Sequence, residues 1–263
     1  MSAAPGRVVG SFLGAVAGVL SGMLGIGGGL VVTPVLALRG VALRRATGTA
    51  LGAVLVCALV AVATDALTEP QQLSPSVALA VAAGGQLGVL IGRRVLAAMP
   101  DGLLRIVFLL FLVAAAWRSL GLPGIGATGT VVQDGVGPIA GLMYLAAGGF
   151  GVLAGISAVL FGIGGGAVVV PLLTWTGVPF ATAAAISLLA MIPTALTGLW
   201  VARRDDRIER GLLGALLPAA ALGAAAGVWL RNRVLDASLL ETLFGVFLLY
   251  AALRLWMTRP RAR

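Results

Sequence analysis

The sequence predicts an all-α polytopic membrane protein made of two inverted repeats, each a re-entrant Gly-rich helical hairpin plus three transmembrane helices. Three observations predict it. Of 263 residues, 60% are hydrophobic and only 10% charged, whereas a soluble domain carries roughly 25% charged residues. Eight apolar runs divide the chain. The block from Gly14 to Leu51 also recurs 137 residues on, from Gly151 to Leu188, with 16 identities in 38 positions. So few charges cannot cover a water-facing surface, which excludes a soluble enzyme or a nucleic-acid-binding domain.

The apolar runs lie at 8–38, 46–64, 76–97, 102–118, 139–175, 181–200, 211–230 and 238–257. Six are near the roughly 20 residues a helix needs to cross a bilayer. The other two, 8–38 and 139–175, are too long, and each contains a glycine triplet, Gly27–Gly29 or Gly164–Gly166. A hairpin explains the excess. Residues 8–24 form a long arm, and residues 30–38 form a short one of about 13 Å, near half of a hydrocarbon core of roughly 30 Å. Pro34 and Pro171 fall in or just after the first turn of the short arms, where a missing N–H costs little. Each half then holds one hairpin and three crossings. Three is odd, so the second half is inverted relative to the first. Residues 1–120 are the first repeat, 121–137 a linker and 138–263 the second repeat.

The charges agree with the hairpins. All 18 basic residues are Arg. If every run crosses once, they divide 10 to 8 between the two sides. With two hairpins they divide 15 to 3, only Arg118, Arg231 and Arg233 lying outside. Cytoplasmic loops concentrate Arg, so the second topology is preferred, with both termini in the cytoplasm. The net charge of +9 is read as this orientation signal rather than as attraction to nucleic acid. Trp117, Trp175, Trp200, Trp229 and Trp256 all fall at run ends, as interfacial aromatics do. Arg7 before an apolar stretch resembles a signal peptide, but the same pattern recurs inside the chain at 145–161, so an uncleaved segment is expected.

The chemistry is narrow. With no His and only Cys57, no metal site, disulfide or cofactor is expected. No carboxylate lies at the centre of a run, so no deep proton relay is expected. Asp65, Glu69 and Asp134 lie at run ends or in loops, and Asp205, Asp206 and Glu209 read as solvated. The triplets are the distinctive feature. Broken backbone at membrane depth must be buried or line a polar cavity. Without side chains, its N–H groups can approach a ligand closely. Each short helix points the positive end of its dipole at the bilayer middle, so two of them can hold an anion without a buried Arg. The candidate site is Gly25, Gly27, Gly28 and Gly29 with Gly162, Gly164, Gly165 and Gly166, joined by Thr33, Thr49, Gln86 and Ser187. Competing readings exist. Gly14, Gly18 and Gly22, like Gly151 and Gly155, fit helix packing. Gln86 fits a bond between helices, and hydroxyls often bond their own helix carbonyls.

The run Gly18-x3-Gly22-x2-Gly25-Ile26-Gly27-Gly28-Gly29-x4-Pro34 resembles the TauE/SafE family of sulfite exporters, also called the TSUP transmembrane anion permeases. So does Gly155-x6-Gly162-Ile163-Gly164-Gly165-Gly166-x4-Pro171-x-Leu173, followed by Ser187-Leu188. The paired helices carrying Leu103-Leu104-Arg105 and Leu239-Leu240-Glu241 extend the resemblance over nearly the whole chain. It implies a permease that exports or imports sulfite, sulfoacetate, a related organosulfonate or another small sulfur-containing or carboxylate anion across the bacterial inner membrane, in contact with lipid. An anion channel of the same architecture and a non-transporting scaffold remain the alternatives, and a homo-oligomer stays open. The repeats are unequal: Val159 replaces the glycine matching Gly22, and Ala50 the serine matching Ser187.

Overall fold

A computed structural model describes residues 7–98, 101–121, 138–161, 165–206 and 208–257. Among them the chain forms ten α-helices: α1 (Arg7–Leu24), α2 (Gly29–Leu38), α3 (Leu43–Thr68), α4 (Pro75–Ala98), α5 (Asp101–Ser119), α6 (Pro138–Phe161), α7 (Gly166–Trp175), α8 (Phe180–Arg204), α9 (Arg210–Arg233) and α10 (Ala237–Met257). By length and composition, α3, α8, α9 and α10 can each cross a membrane. Large apolar side chains point outward from the bundle, Leu79 of α4, Leu145 of α6 and Leu222 of α9 being more than two-thirds exposed. Such a surface suits lipid rather than water, and the protein is a polytopic helical membrane protein.

The two long runs are broken at their glycines. Gly25, Gly27 and Gly28 take φ of 71°, 73° and 66°, and Gly165 takes 80°. A residue with a Cβ loses roughly 1–2 kcal/mol in this left-handed region, so glycine lets the helix stop here. The chain then doubles back. A Cβ on Gly28 would lie 3.1 Å from the Ala17 carbonyl oxygen, and one on Gly165 would lie 3.2 Å from that of Ala154. Val32 and Leu36 of α2 share a buried cluster with Ala17 and Leu13 of α1. At 1.5 Å per residue, Ala17 is about 10 Å back from the end of α1. The short helices also end alike. Val41 N–H donates to Leu36 O at 3.1 Å and Val178 N–H to Leu173 O at 3.3 Å, each around a glycine of positive φ, Gly40 or Gly177. That is the glycine-terminated cap of a helix.

One detail differs from the sequence reading. Each short helix starts at the last glycine of its triplet, so Pro34 and Pro171 are sixth residues inside α2 and α7. At that position the missing N–H is no longer one of the helix's orphan donors. It removes a bond to the carbonyl of Leu30 or Ala167.

Small residues decide which helices touch. A Cβ on Gly14, Gly18 or Gly22 of α1 would collide with the carbonyl oxygens of Leu216, Ala220 and Ala224 in α9. A Cβ on Gly151 or Gly155 of α6 would collide with those of Val81 and Gly85 in α4. Backbones this close gain dispersion contact that larger residues would prevent. The first helix of each half thus packs against the fourth helix of the other, and the halves interlock. Two further close pairs, α3 with α8 and α5 with α10, join corresponding helices of the two halves, and α3 also packs along α9.

The tryptophans fall into two groups. Trp117, Trp200, Trp229 and Trp256 are each more than 40% exposed. Trp175, the last residue of α7, instead turns inward and packs against Phe111 with ring centroids 6.2 Å apart.

Candidate functional site

The two breaks meet. A Cβ on Gly166, where α7 starts, would collide with Gly25 O and crowd Ile26 Cα at 2.9 Å. A Cβ on Gly27 would lie 2.7 Å from Met191 Sδ and 3.2 Å from Val54 Cγ1. Met191 and Val54 occupy equivalent places in the repeats, 137 residues apart, near the middles of α8 and α3. The starts of α2 and α7 therefore come together halfway along the two central helices.

A broken helix leaves carbonyls without intrahelical donors, and here other elements supply donors. The ladder of α1 itself reaches one residue past its end, where Gly25 N–H donates to Ser21 O at 2.9 Å. Ser187 Oγ, from α8, donates to Gly25 O at 2.9 Å. Arg231 Nη1, from the last turn of α9, donates to Gly22 O at 3.0 Å. Arg231 is itself neutralised by Asp65 of α3, with Nη2 2.6 Å from Oδ2 and both side chains fully buried. Asn232 Nδ2 adds a bond to Asp65 Oδ1 at 3.0 Å. These partners occupy acceptors of the break. The starts of α2 and α7 bring the positive ends of two short helices to the same junction.

A narrow crevice opens beside this junction, between α4, α6, α7 and α8. Gly85, Gly155, Gly165, Ser187, Met191 and Thr194 line it. The centre of a water-sized sphere can move through about 20 Å³ of it, room for about one water.

Of the sequence candidates, Gly25, Gly27, Gly28, Gly29, Gly165, Gly166 and Ser187 belong to the junction. Gly162 and Gly164 lie outside the described residues. Thr33 is buried in the second turn of α2, and its hydroxyl has no hydrogen-bond partner among the described residues. Thr49 and Gln86 are occupied elsewhere. Thr49 Oγ1 donates to Arg45 O at 2.8 Å and accepts from Glu209 N–H at 3.0 Å. Gln86 Nε2 reaches Thr197 Oγ1 at 3.3 Å, which joins α4 to α8, while its neighbour Gly85 lines the crevice. Glu209, read as solvated, is also tied to Arg45, 3.7 Å away.

Sequence reasoning missed three participants. Met191 looked like any apolar residue. Asp65 and Arg231 looked like charges at run ends, yet both are buried. The only hint was that each sits within about a turn of its run's end, close enough to fold inward.

Apolar helices broken in mid-bundle, their starts packed against each other, are an arrangement that secondary transporters use. The family comparison is more specific. The chain belongs to the sulfite exporter TauE/SafE family, which it matches over residues 1–119 and 147–263. Neither a curated protein nor a solved structure matches it.

Proposed function

We propose that this chain is a permease of the bacterial inner membrane that carries a small oxyanion, sulfite or an organosulfonate such as sulfoacetate. The junction of the two helix starts is its binding site. The single observation that carries this reading is Gly166 packed on Gly25 and Ile26, at the middle of α3 and α8. The hairpins enter from opposite leaflets, both termini face the cytoplasm, and the junction falls near the bilayer midplane. Each helix start contributes roughly 0.3–1 kcal/mol to holding an anion, and up to about 2 kcal/mol where partly buried. Ser187 and Arg231 support the site by holding carbonyl oxygens that would repel the ligand. Thr33 offers a further donor.

The driving force is available without a coupled proton. A monoanion leaving a negative-inside cell gains roughly 2.3 kcal/mol per 100 mV. The crevice has room for about one water and is too small for an oxyanion, which favours a carrier that closes around its substrate over an open channel. The test is flux of labelled sulfite and sulfoacetate from proteoliposomes. Saturable flux is expected, stimulated by substrate on the opposite side and by imposed voltage, and lost in folded Gly28→Leu and Gly165→Leu proteins. Undiminished flux in both variants would point to a scaffold or to another route.

A further inference from the structure

We infer that Met191 is the gate of this site and sets the size of the anion that crosses. The inference rests on the permease reading but has its own observations. The thioether of Met191 lies between the two helix starts. Its Sδ is where a Cβ of Gly27 would crowd it at 2.7 Å, and its Cε is where a Cβ of Gly166 would collide. The residue is 3% exposed and also lines the crevice. It therefore closes the junction and the crevice at once. Methionine is unbranched and adaptable, so it can withdraw by rotation. Its counterpart Val54 is β-branched and stiff.

The backbone beneath Met191 is built to yield. Pro193 lies inside α8, so the carbonyl of Leu189 loses its ladder donor. Thr194 Oγ1 donates to Met191 O at 2.8 Å, and Thr197 Oγ1 to Pro193 O at 2.9 Å. The matching positions of α3 are Val56, Cys57 and Val60, with neither proline nor hydroxyl. The flexible side chain thus stands on the interrupted helix and the stiff one on the regular helix.

The experiment compares wild type with Met191→Ala, Met191→Val and the volume-conserving Met191→Leu in proteoliposomes, each checked for monodisperse elution. The readout is the flux ratio of sulfoacetate to sulfite. Met191→Ala is expected to raise that ratio by about tenfold, a change worth 1.36 kcal/mol of barrier. Met191→Val should give a smaller rise, and Met191→Leu should match wild type. If Met191→Ala does not fold, Met191→Val carries the test. An unchanged ratio in a folded small-residue variant, with wild type active, overturns the gate alone. If wild type moves neither anion, the permease reading falls and the gate falls with it.

Discussion

The sharpest stability test is the ion pair between Asp65 and Arg231. These residues lie 166 positions apart, and neither side chain reaches solvent. Asp65→Leu would strand a guanidinium that still bonds Gly22 O. Arg231→Met would strand a carboxylate and leave Gly22 O without its donor. Breaking a buried pair from one side costs about 3–5 kcal/mol. The double variant removes both charges, and its main remaining cost is the orphaned carbonyl, about 1–3 kcal/mol. It should therefore be more stable than either single variant, by about 2 kcal/mol. Unfolding by SDS in mixed micelles, followed by tryptophan fluorescence, measures all three against wild type. A double variant whose loss equals the sum of the two singles would refute the coupling and, with it, the argument that Asp65 serves to neutralise Arg231.

Gly18→Ala forces a methyl group into the Ala220 carbonyl. It should cost about 1–3 kcal/mol, measured in the same titration, with a comparable loss for Gly155→Ala against Gly85. Gly40→Ala and Gly27→Ala form a matched pair. Both glycines have positive φ, but Gly40 has nothing within 4 Å of its Cβ position, whereas Gly27 faces Met191. Each should lose about 1–2 kcal/mol to backbone strain, yet only Gly27→Ala should also lose anion flux. Ser187→Ala removes the donor to Gly25 O. Stability should fall by about 1–3 kcal/mol, and the anion concentration for half-maximal flux should rise.

What could be read from the sequence follows from how local each cause is. The helix breaks were legible because three consecutive glycines weaken a helix by about 1 kcal/mol each and because the pattern occurs twice. Gly40 and Gly177 occupy matching positions 137 residues apart, but that they end the short helices shows only in the backbone, where both take positive φ. Gly14, Gly18 and Gly22 announced close packing but not their partner, because α9 lies about 200 residues away and the choice depends on how two glycine-faced helices find each other. Ser187 stood out as a hydroxyl in an apolar run, and it does serve the junction. Thr49 and Gln86 stood out equally and serve helix contacts, since an isolated polar residue satisfies its bonding wherever a partner falls. Met191 had no signal. Its place between two glycines that only folding brings together leaves no trace in the local sequence.

The interlocking of α1 with α9 has a consequence for biogenesis. When α1 leaves the ribosome its glycine stripe has no partner, and the matching carbonyls of Leu216 to Ala224 are about 200 residues behind. At about 5–20 residues per second, synthesis takes about 10–40 s to deliver them. For that interval the first hairpin is an orphan in the translocation machinery or the lipid, and the bundle can close only after α9 has been made.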